Sequence, residues 1–531
     1  MRIDKIYIEE FKNLRNFSID LNEKYMSTVF LGQNAAGKSN LLEALVIIFR
    51  DLDLDDKTSF NYTLEYECKD NLLKVDGGPQ AKGNYIFHKG EKKNGKIIYS
   101  TLISKAVIKR DKSEYLPKYV FSYYSGISNR LLEHFDKHQK RFYDELIKGV
   151  NVPPRPLFYA RQIHSYFVLM AFYAFSDKKA SKFLKEFLGI VGLESVLFVL
   201  KKPVWAKSKT EALDFWKAKG VVREFLDELF ETSMAPIVHE ETVREDFRRS
   251  HKQEQLYLYI SNQEKLEKIA KKYGTNTEFF KSLESTYISD LIQEVRVKVK
   301  KVNVHGDVTF KELSEGEQQL LTVLGLLRFT KEDESLILLD EPDTHLNPLW
   351  KWKYMNLLEE YSGKDASSQI LMTTHDPLVI GGLTKEQIRI FQAVNKIDKE
   401  GKEFQHIETF EPDFNPKGLG VAGILTSDFF NLPSTLDEDT QNELNEYRSL
   451  EVKEKQGDLT EDEKSLLSKY TKYFEQLGFN KYTRDPLYAK FIARIANLSE
   501  FKSIPNTKKE QQKQDDLTIS ILEDLLKEDS E

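Results

Sequence analysis

A glycine-rich loop near the start of the chain has the residue types that bind phosphate. Its sequence is Gly32-Gln33-Asn34-Ala35-Ala36-Gly37-Lys38-Ser39. Glycines at both ends let the backbone curl so that successive N–H groups face phosphate oxygens, and the helix that follows adds partial positive charge. In such a loop the lysine, here Lys38, reaches the β- and γ-phosphates, and the Ser39 hydroxyl is a ligand for Mg²⁺. We expect Asn34 and Asn40 to belong to the same binding site, and a glycine turn with a surface lysine is the alternative.

An acidic pair, Asp340 and Glu341, follows a run of apolar residues from Leu336 to Leu339. A carboxylate at the end of a buried strand can reach Mg²⁺ beside Ser39, so Asp340 is the second expected metal residue. Glu341 suits the general base that polarises a water molecule for attack on a phosphate. A salt bridge at the strand end is the alternative. Together with the glycine loop, the pair predicts magnesium-dependent hydrolysis of ATP.

A third motif precedes an apolar helix and contains a serine and a glycine. Its sequence is Leu313-Ser314-Glu315-Gly316-Glu317-Gln318-Gln319. The Ser314 hydroxyl and the Gly316 N–H would lie at the start of that helix, where they can contact a γ-phosphate. Glu317 belongs to the same expected group. This motif cannot serve the glycine loop of its own subunit, so it predicts two nucleotide-binding heads that meet face to face.

His375 follows a further apolar run, Leu371-Met372-Thr373-Thr374. An imidazole at the end of a neighbouring strand can contact the γ-phosphate and sense its loss, so we expect a catalytic role for His375. An isolated histidine is more often a satisfied core or surface residue, which is the alternative here.

The elements that position these residues can be predicted from hydrophobic periodicity. Strands are expected at 3–10, 27–32 and 332–339, and a helix is expected at 40–50 directly after the glycine loop. Segment 60–122 alternates between apolar and polar residues, has glycine-containing turns, and includes the short run Tyr119-Val120-Phe121. This pattern predicts a β meander.

The long segment between the first and second motifs is predicted to be mainly helical. Its expected helices are 129–148, 165–188, 210–231 and 263–293, followed by a strand at 295–300. It has no sustained heptad run, so a long coiled-coil arm is not expected.

The chain beyond His375 is predicted to finish the sheet and then to become helical. The expected elements are strands at 388–391 and 406–410, a helical hairpin at 436–456 and 460–476 with a Thr460–Glu463 capping box, and a polar linker at 503–514. A short helix follows the linker, and its apolar stripe contains Leu517, Ile521, Leu522, Leu525 and Leu526.

The motifs resemble those of the ABC-type ATPase heads shared by the RecF, Rad50 and structural-maintenance-of-chromosomes group, as does the opening segment 8–17. The family's P-loop, signature, Walker B motif, D-loop and switch histidine map onto residues 32–39, 313–319, 336–341, 344–347 and 375. The D-loop match has Asn347 where transporters usually have Asp. Gln162 is the candidate for the glutamine loop, and a surface glutamine on a helix is the alternative.

A compact head without a long coiled coil also looks like the overcoming-lysogenisation-defect-type (OLD-like) ATPases of prokaryotic antiphage defence. Segments 120–126, 156–161 and 423–430 resemble more specifically the PtuA ATPases of Septu and related retron systems. The resemblance implies an ATP-hydrolysing head that dimerises on ATP and gates a partner nuclease of the HNH type.

The implied fold class is α/β: an ABC-type ATPase head with an antiparallel β arm, a helical insert and a C-terminal helical extension. The expected domains are lobe I with the P-loop and β arm at 1–125, the helical insert at 126–294, lobe II with the signature, Walker B motif and switch histidine at 295–410, the helical extension at 411–502, and a linker with an amphipathic tail at 503–531.

The implied cofactors are ATP and Mg²⁺, and the first implied partner is a second copy of the chain in an ATP-sandwich homodimer or a higher oligomer. A nuclease like PtuB, and a retron reverse transcriptase with its RNA and DNA, are the other partners that the resemblance implies. Two rival classes stay open: a RecF-like repair or recombination ATPase acting directly on DNA, and a nuclease-ATPase that cuts by itself. Asp437-Glu438-Asp439 has the spacing of a Toprim acidic pair but lies in a predicted helical run, so no nuclease site is expected.

Composition limits the partners further. The net charge of -7 and the pI of about 6.0 give no general affinity for nucleic acid, so any such contact needs a local basic face. The insert offers one in its lysine-rich part around Trp205 and Trp216, and Arg248-Arg249 adds charge. One cysteine rules out a disulfide framework. No apolar run approaches the length of a membrane span, so we expect a cytoplasmic protein with no membrane partner.

Overall fold

The computed structural model describes residues 1–126, 128–153, 155–176, 178–244, 246–302, 308–330, 334–362, 367–397, 403–476, 491, 494–495, 498, 501 and 508–528. The chain divides into two compact units, residues 1–432 and 433–531.

A seven-stranded sheet forms the centre of the first unit. In spatial order its strands are β18 (Glu403–Phe410), β17 (Ile388–Ile397), β3 (Ser27–Gly32), β16 (Gln369–Thr373), β15 (Ser335–Asp340), β8 (Tyr119–Tyr124) and β9 (Leu157–Tyr159). Every neighbouring pair is parallel except β17 and β18. Because parallel strands end at one edge of a sheet, the ends of β3, β15 and β16 lie side by side.

A second, antiparallel sheet forms the β arm. Its strands, in spatial order, are β2 (Leu14–Asp20), β1 (Arg2–Phe11), β4 (Tyr62–Cys68), β5 (Asn71–Gly77), β6 (Tyr85–Lys93) and β7 (Lys96–Ile103). Strands β4 to β7 confirm the predicted meander. The placement of Tyr119-Val120-Phe121 in that meander was wrong, because this run is the core strand β8. A short apolar run gives the same signal in either kind of sheet.

Helix α1 (Lys38–Leu54) joins the two sheets. Its apolar residues share one buried cluster with side chains of the β arm and with Leu336 and Leu338 of β15. The alternate residues of β15, Ile337 and Leu339, face the opposite cluster, which includes α10 (Glu315–Thr330) and α11 (Pro348–Ser362). A strand that is buried on both faces reads as a continuous apolar run, as β15 does.

The insert contains the expected helices and a five-stranded sheet, of which only the strand at 295–300 was expected. Its longer helices are α4 (Asp136–Lys148), α5 (Ile163–Ala174), α6 (Lys178–Leu188), α7 (Gly220–Thr232), α8 (Gln263–Ala270) and α9 (Asn276–Ile288). The sheet has the order β11 (Ile237–Arg244), β12 (Ser250–Ile260), β10 (Ile190–Lys201), β13 (Ile292–Lys301) and β14 (Val308–Thr309). The single helices expected at 165–188 and 263–293 are therefore each divided in two.

The second unit contains the predicted helical hairpin. Its helices are Glu438–Gln456 and Glu461–Gln476, and Glu463 accepts hydrogen bonds from the Thr460 N–H and hydroxyl at 2.9 Å each. The last helix, Lys508–Glu528, begins inside the expected linker and has 21 residues, so the expectation of a short terminal helix was wrong. Residues 503–507 lie outside the described part of the chain. Within that part, no helix is long and apolar enough to cross a membrane.

The parallel core sheet, the antiparallel arm, the insert and the helical C-terminal unit confirm the predicted α/β fold class.

Candidate active site

The glycine loop connects the end of β3 to the start of α1, as the sequence predicts. Gly32 and Gly37 have φ angles of 139° and 90°, which side chains disfavour. A Cβ atom on Gly32 would lie 2.3 Å from the carbonyl oxygen of Phe391. Only glycine fits there. Within the loop, the Ala36 N–H donates to the Gln33 carbonyl oxygen at 3.2 Å, and this turn curls the backbone ahead of α1.

The Lys38 side chain lies within the loop. Its Nζ donates hydrogen bonds to the carbonyl oxygens of Gly32 (2.8 Å) and Gln33 (3.0 Å). Burial lowers the pKa of Lys38 to about 8, although the negative charges of Glu341 and Asp340 oppose this shift. The ammonium group is thus buried against two neutral carbonyls, and a phosphate would offer it a stronger, charged acceptor.

Asp340 ends β15 beside the first turn of α1. Its Oδ1 accepts hydrogen bonds from the Ser39 hydroxyl (2.8 Å) and the Thr373 hydroxyl (2.6 Å). Burial raises the pKa of Asp340, while these two hydrogen bonds act in the opposite direction. Its Oδ2 is buried and has no hydrogen-bond partner.

These residues fit a magnesium ion. A buried carboxylate oxygen without a partner is costly unless a cation or water binds it. Carboxylate and hydroxyl oxygens are ligands that Mg²⁺ prefers, and few protein ligands suffice because the ion keeps its waters and binds substrate phosphates. Asp340 and Ser39 together provide such a partial site.

Glu341 directly follows Asp340 and has an unusual backbone. Its φ of 53° is left-handed, which is uncommon for a residue other than glycine and often marks functional sites. Its N–H donates to the hydroxyl of Thr373 (3.0 Å), and the Thr344 hydroxyl donates to its carbonyl (2.8 Å). Oε1 of Glu341 lies 3.5 Å from Nε2 of His375. Burial and the charge of Lys38 lower the pKa of His375, which favours the neutral imidazole.

One pocket brings together most of the residues that the sequence singled out. It is lined by Asn34, Ala35, Ala36, Gly37, Lys38, Ser39, Asn40, Arg130, Glu341 and His375. Asp340 lies just behind the pocket, on the Ser39 hydroxyl. We refer to these lining residues as the phosphate pocket.

The signature residues are not part of the phosphate pocket. Glu317 accepts hydrogen bonds from the Ser314 N–H (2.8 Å) and hydroxyl (3.0 Å), and its other oxygen is bound by Lys301 at 2.8 Å. Gly316 is buried, and a Cβ atom there would lie 2.3 Å from the carbonyl oxygen of His345. Ser314 therefore begins α10 at an exposed position, away from the glycine loop of its own chain.

Two weaker matches have structural partners. Asn347 accepts the Trp350 N–H at 3.0 Å and so caps the start of α11. The Gln162 side chain donates to Gln318 of the signature motif and does not line the phosphate pocket.

Asp437 of the acidic run Asp437-Glu438-Asp439 accepts the Thr440 N–H at 2.9 Å and caps a helix.

Arg130 lines the phosphate pocket but belongs to none of the motifs in the sequence. Its Nη2 donates to Asn40 Oδ1 (2.8 Å) and to Glu43 Oε2 (3.0 Å), while its buried Nε has no hydrogen-bond partner. The loop after β8 carries this arginine to the same sheet edge as Asp340. A single arginine outside the motifs gives no signal in the sequence.

Glu43 holds Arg130 in place. The Glu43 carboxylate lies on α1, is buried, and also binds Lys12 (2.6 Å) and His134 (3.0 Å). Burial opposes its ionisation, but the hydrogen bonds from His134 and Lys12 and the nearby cationic charges outweigh this and lower the pKa of Glu43 to about 2. A charged carboxylate thus fixes one edge of the Arg130 guanidinium, and the rest can contact an anion in the pocket.

The substitution Arg130→Ala should lower ATP turnover at least about tenfold, because a charge-assisted hydrogen bond contributes roughly 1.5–3 kcal/mol. Arg130→Lys should recover part of this loss. Steady-state kinetics and nucleotide affinity, measured side by side, give the split between kcat and KM. The matched control is Arg110→Ala, which removes an arginine whose side chain is 73% exposed. Equal rates in Arg130→Ala and in the control would show that Arg130 does not contact the nucleotide.

The family described as AAA ATPase domain matches residues 1–380. Septu protein PtuA of Bacillus mycoides (strain KBAB4) is 26% identical over 249 residues, which are 42% of this chain and 32% of that protein. A retron Vc95 probable ATPase of Vibrio cholerae serotype O1 biovar El Tor is 25% identical over 159 residues, which are 26% of this chain and 28% of that protein. The match therefore spans only about a third of the length of either relative.

Two solved structures are similar in outline. The SmcHead bound to the C-winged helix domain of ScpA is 13% identical with a TM-score of 0.33, and the match covers 77% of this chain and 98% of that chain. The SMC head domain from Thermotoga maritima is 15% identical with a TM-score of 0.31, and covers 78% and 100%. The fold of the first unit follows from its own sheet topology and not from these low scores.

Proposed function

The chain belongs to the AAA ATPase domain family. We propose that it is a magnesium-dependent ATPase that pairs on ATP and gates a partner nuclease in a prokaryotic antiphage system. The observation that carries the ATPase part is the meeting of Lys38, Ser39 and Glu341 in one pocket, with the unpartnered Oδ2 of Asp340 behind it. The antiphage part is supported by the similarity to Septu protein PtuA and to the retron ATPase.

The proposed chemistry assigns one task to each side chain. Lys38 binds the β- and γ-phosphates in place of its two carbonyl partners. Ser39 and Asp340 hold Mg²⁺, which when bound neutralises charge on the phosphates. The Glu341 carboxylate accepts a proton from the attacking water, and the neutral His375 beside it contacts the γ-phosphate. Gly32, Asn34, Gly37 and Asn40 complete the binding loop.

The proposed dimer is supported by the separation of two motifs. Ser314, Gly316 and Glu317 lie outside the phosphate pocket of their own chain, at the start of α10. Ser314 is exposed at this helix start, where backbone N–H groups can face an anion. A second head in two-fold contact would bring its own Ser314 to the first head's γ-phosphate. Hydrolysis would remove that shared phosphate, and the heads would part.

Co-expression with the protein encoded beside its gene tests the nuclease part. We expect the chain to co-purify with an HNH nuclease, and we expect cleavage of nucleic acid by the pair to change when Lys38→Ala removes ATP binding. Co-purification of a reverse transcriptase with its RNA and DNA would indicate the retron type. Metal-dependent cleavage by the chain alone, or a neighbouring recombination operon without any nuclease contact, would contradict the gating proposal in favour of the nuclease-ATPase or the repair ATPase.

A further inference from the structure

The hairpin formed by β11 and β12 belongs to the sheet of the insert, but its outer end extends beyond the neighbouring strand β10. Residues 255–260 of β12 pair with β10, while residues 250–253 pair with β11 alone. At about 3.4 Å per residue this two-stranded part is roughly 14 Å long. Every residue of β11 except Val243 is exposed. The outer end of the hairpin is therefore formed by two strands only, and its turn is reachable from solvent.

The turn at the end of the hairpin is held by its own hydrogen bonds. Oδ1 of Asp246 accepts the backbone N–H groups of Arg248 (2.5 Å) and Arg249 (2.9 Å). Nε of Arg244 donates to the Asp246 carbonyl at 2.9 Å. These hydrogen bonds hold the backbone of residues 246–249 in a defined turn.

The turn presents an aromatic ring and several cations to solvent. Phe247 is 74% exposed, so its ring is accessible to a ligand. The Arg248 guanidinium lies 4.6 Å from the centroid of its ring. Arg244 and Arg249 belong to the same stretch of the chain and are also exposed, so residues 244–249 contain three exposed arginines and one exposed ring. We call Arg244, Phe247, Arg248 and Arg249 the hairpin tip.

The lysine-rich part of the insert lacks this combination. Trp216 is fully buried and donates to Glu254 at 2.7 Å. Trp205 is partly buried and donates to the Ser289 carbonyl at 2.8 Å. Both tryptophans thus have structural partners, and neither offers a free ring face to a base.

We propose that the hairpin tip binds single-stranded nucleic acid, with an unpaired base stacked on Phe247 and phosphates bound by the three arginines. Exposed aromatic rings stack with any base, and arginines provide the contacts to the backbone. Unpaired bases are favoured over a duplex, because bases within a duplex are already stacked on each other. Residues 244–249 contain three arginines against the two carboxylates Glu245 and Asp246, so the stretch has a net positive charge that attracts an anionic strand. This contact goes beyond the proposed function and does not depend on the ATPase cycle.

Fluorescence anisotropy with a labelled single-stranded DNA of about 20 nucleotides tests the proposal on the full chain. Phe247→Ala should weaken binding about tenfold, which is the size of one lost stacking contact. Arg248→Ala/Arg249→Ala should weaken binding and reduce the slope of log affinity against log salt by about 1.4, because each phosphate contact to a single strand contributes about 0.7. Melting temperature and ATPase rate should not change in either variant.

The matched control is Lys92→Ala/Lys93→Ala, which removes the same charge from the exposed end of the β6–β7 hairpin. This variant should bind like the wild type. Equal loss in the control would show diffuse electrostatic binding and overturn the proposal, as would unchanged binding by Phe247→Ala. Equal affinity for a duplex that also depends on Phe247 would overturn the single-strand assignment. If Phe247→Ala instead loses only its co-purifying nuclease, the tip is a protein contact and the proposal fails.

Discussion

Glu341→Gln is expected to lower the ATPase rate by about a hundredfold to ten-thousandfold, the usual contribution of a general base, while ATP remains bound. Glutamine has almost the same shape as glutamate but cannot accept the proton of the attacking water. Because both residues have a side chain, the substitution does not change the strain of the left-handed backbone at this position, so the loop should not move. The contacts of Lys38, Ser39 and Asp340 with phosphate and metal are unaffected.

The same variant should accumulate as a dimer when MgATP is present. If ATP joins two heads and hydrolysis separates them, a head that binds without hydrolysing stays in the joined state. Light scattering coupled to gel filtration measures this directly. Lys38→Ala should behave in the opposite way, since it loses the ammonium group that binds the phosphates and should remain in its ATP-free oligomeric state.

Glu360→Gln on α11 is the matched control, because it makes the same chemical change at an exposed position. It should hydrolyse ATP at the wild-type rate. Hydrolysis by Glu341→Gln at a rate close to that of the control would remove Glu341 from the role of base. If Glu341→Gln binds ATP tightly but forms no dimer, Glu341 keeps its role as general base and the proposed dimer cycle is contradicted.

Much of the site could be predicted from the sequence because its motifs are local. The glycine loop needs a strand before it and a helix after it, and both could be predicted from apolar periodicity. Asp340 and His375 each end a continuous apolar run, and parallel strands bring such ends to one edge. Arg130 could not be found this way. It follows β8, whose run was assigned to the meander, and its partner Glu43 lies on α1.

The insert was harder to predict because tertiary packing overrides local preference there. Segment 210–231 has helical periodicity, yet Phe215 and Trp216 have φ angles of 47° and 50° and break the helix. Trp216 is fully buried and bonded to Glu254 of β12, so its packing outweighs the cost of the left-handed backbone. Strand β12 and its partners were not predicted, although Leu256-Tyr257-Leu258-Tyr259-Ile260 has the residue types of a strand. The contact between Trp216 and Glu254 depends on that strand.

Mixing two inactive variants should restore ATPase activity if the site is shared between heads. Lys38→Ala has a broken phosphate loop and an intact signature. Ser314→Arg has the reverse, because its bulky cation would occupy the place of the opposite γ-phosphate. In a mixed dimer, the intact loop of one subunit faces the intact signature of the other. Each mixed dimer therefore holds one complete site.

Equal mixing should recover about a quarter of the wild-type rate, because half of randomly formed two-fold dimers are mixed and each has one of two sites complete. ATPase rate against mixing ratio, with differently tagged subunits to show mixed dimers, measures this. Ser104→Arg is the control, since Ser104 caps another helix at an exposed position. It should be active alone. If mixed dimers form but ATPase activity does not return, the whole site lies in one chain. Ser314 would then only cap α10 through its hydrogen bond to Glu317.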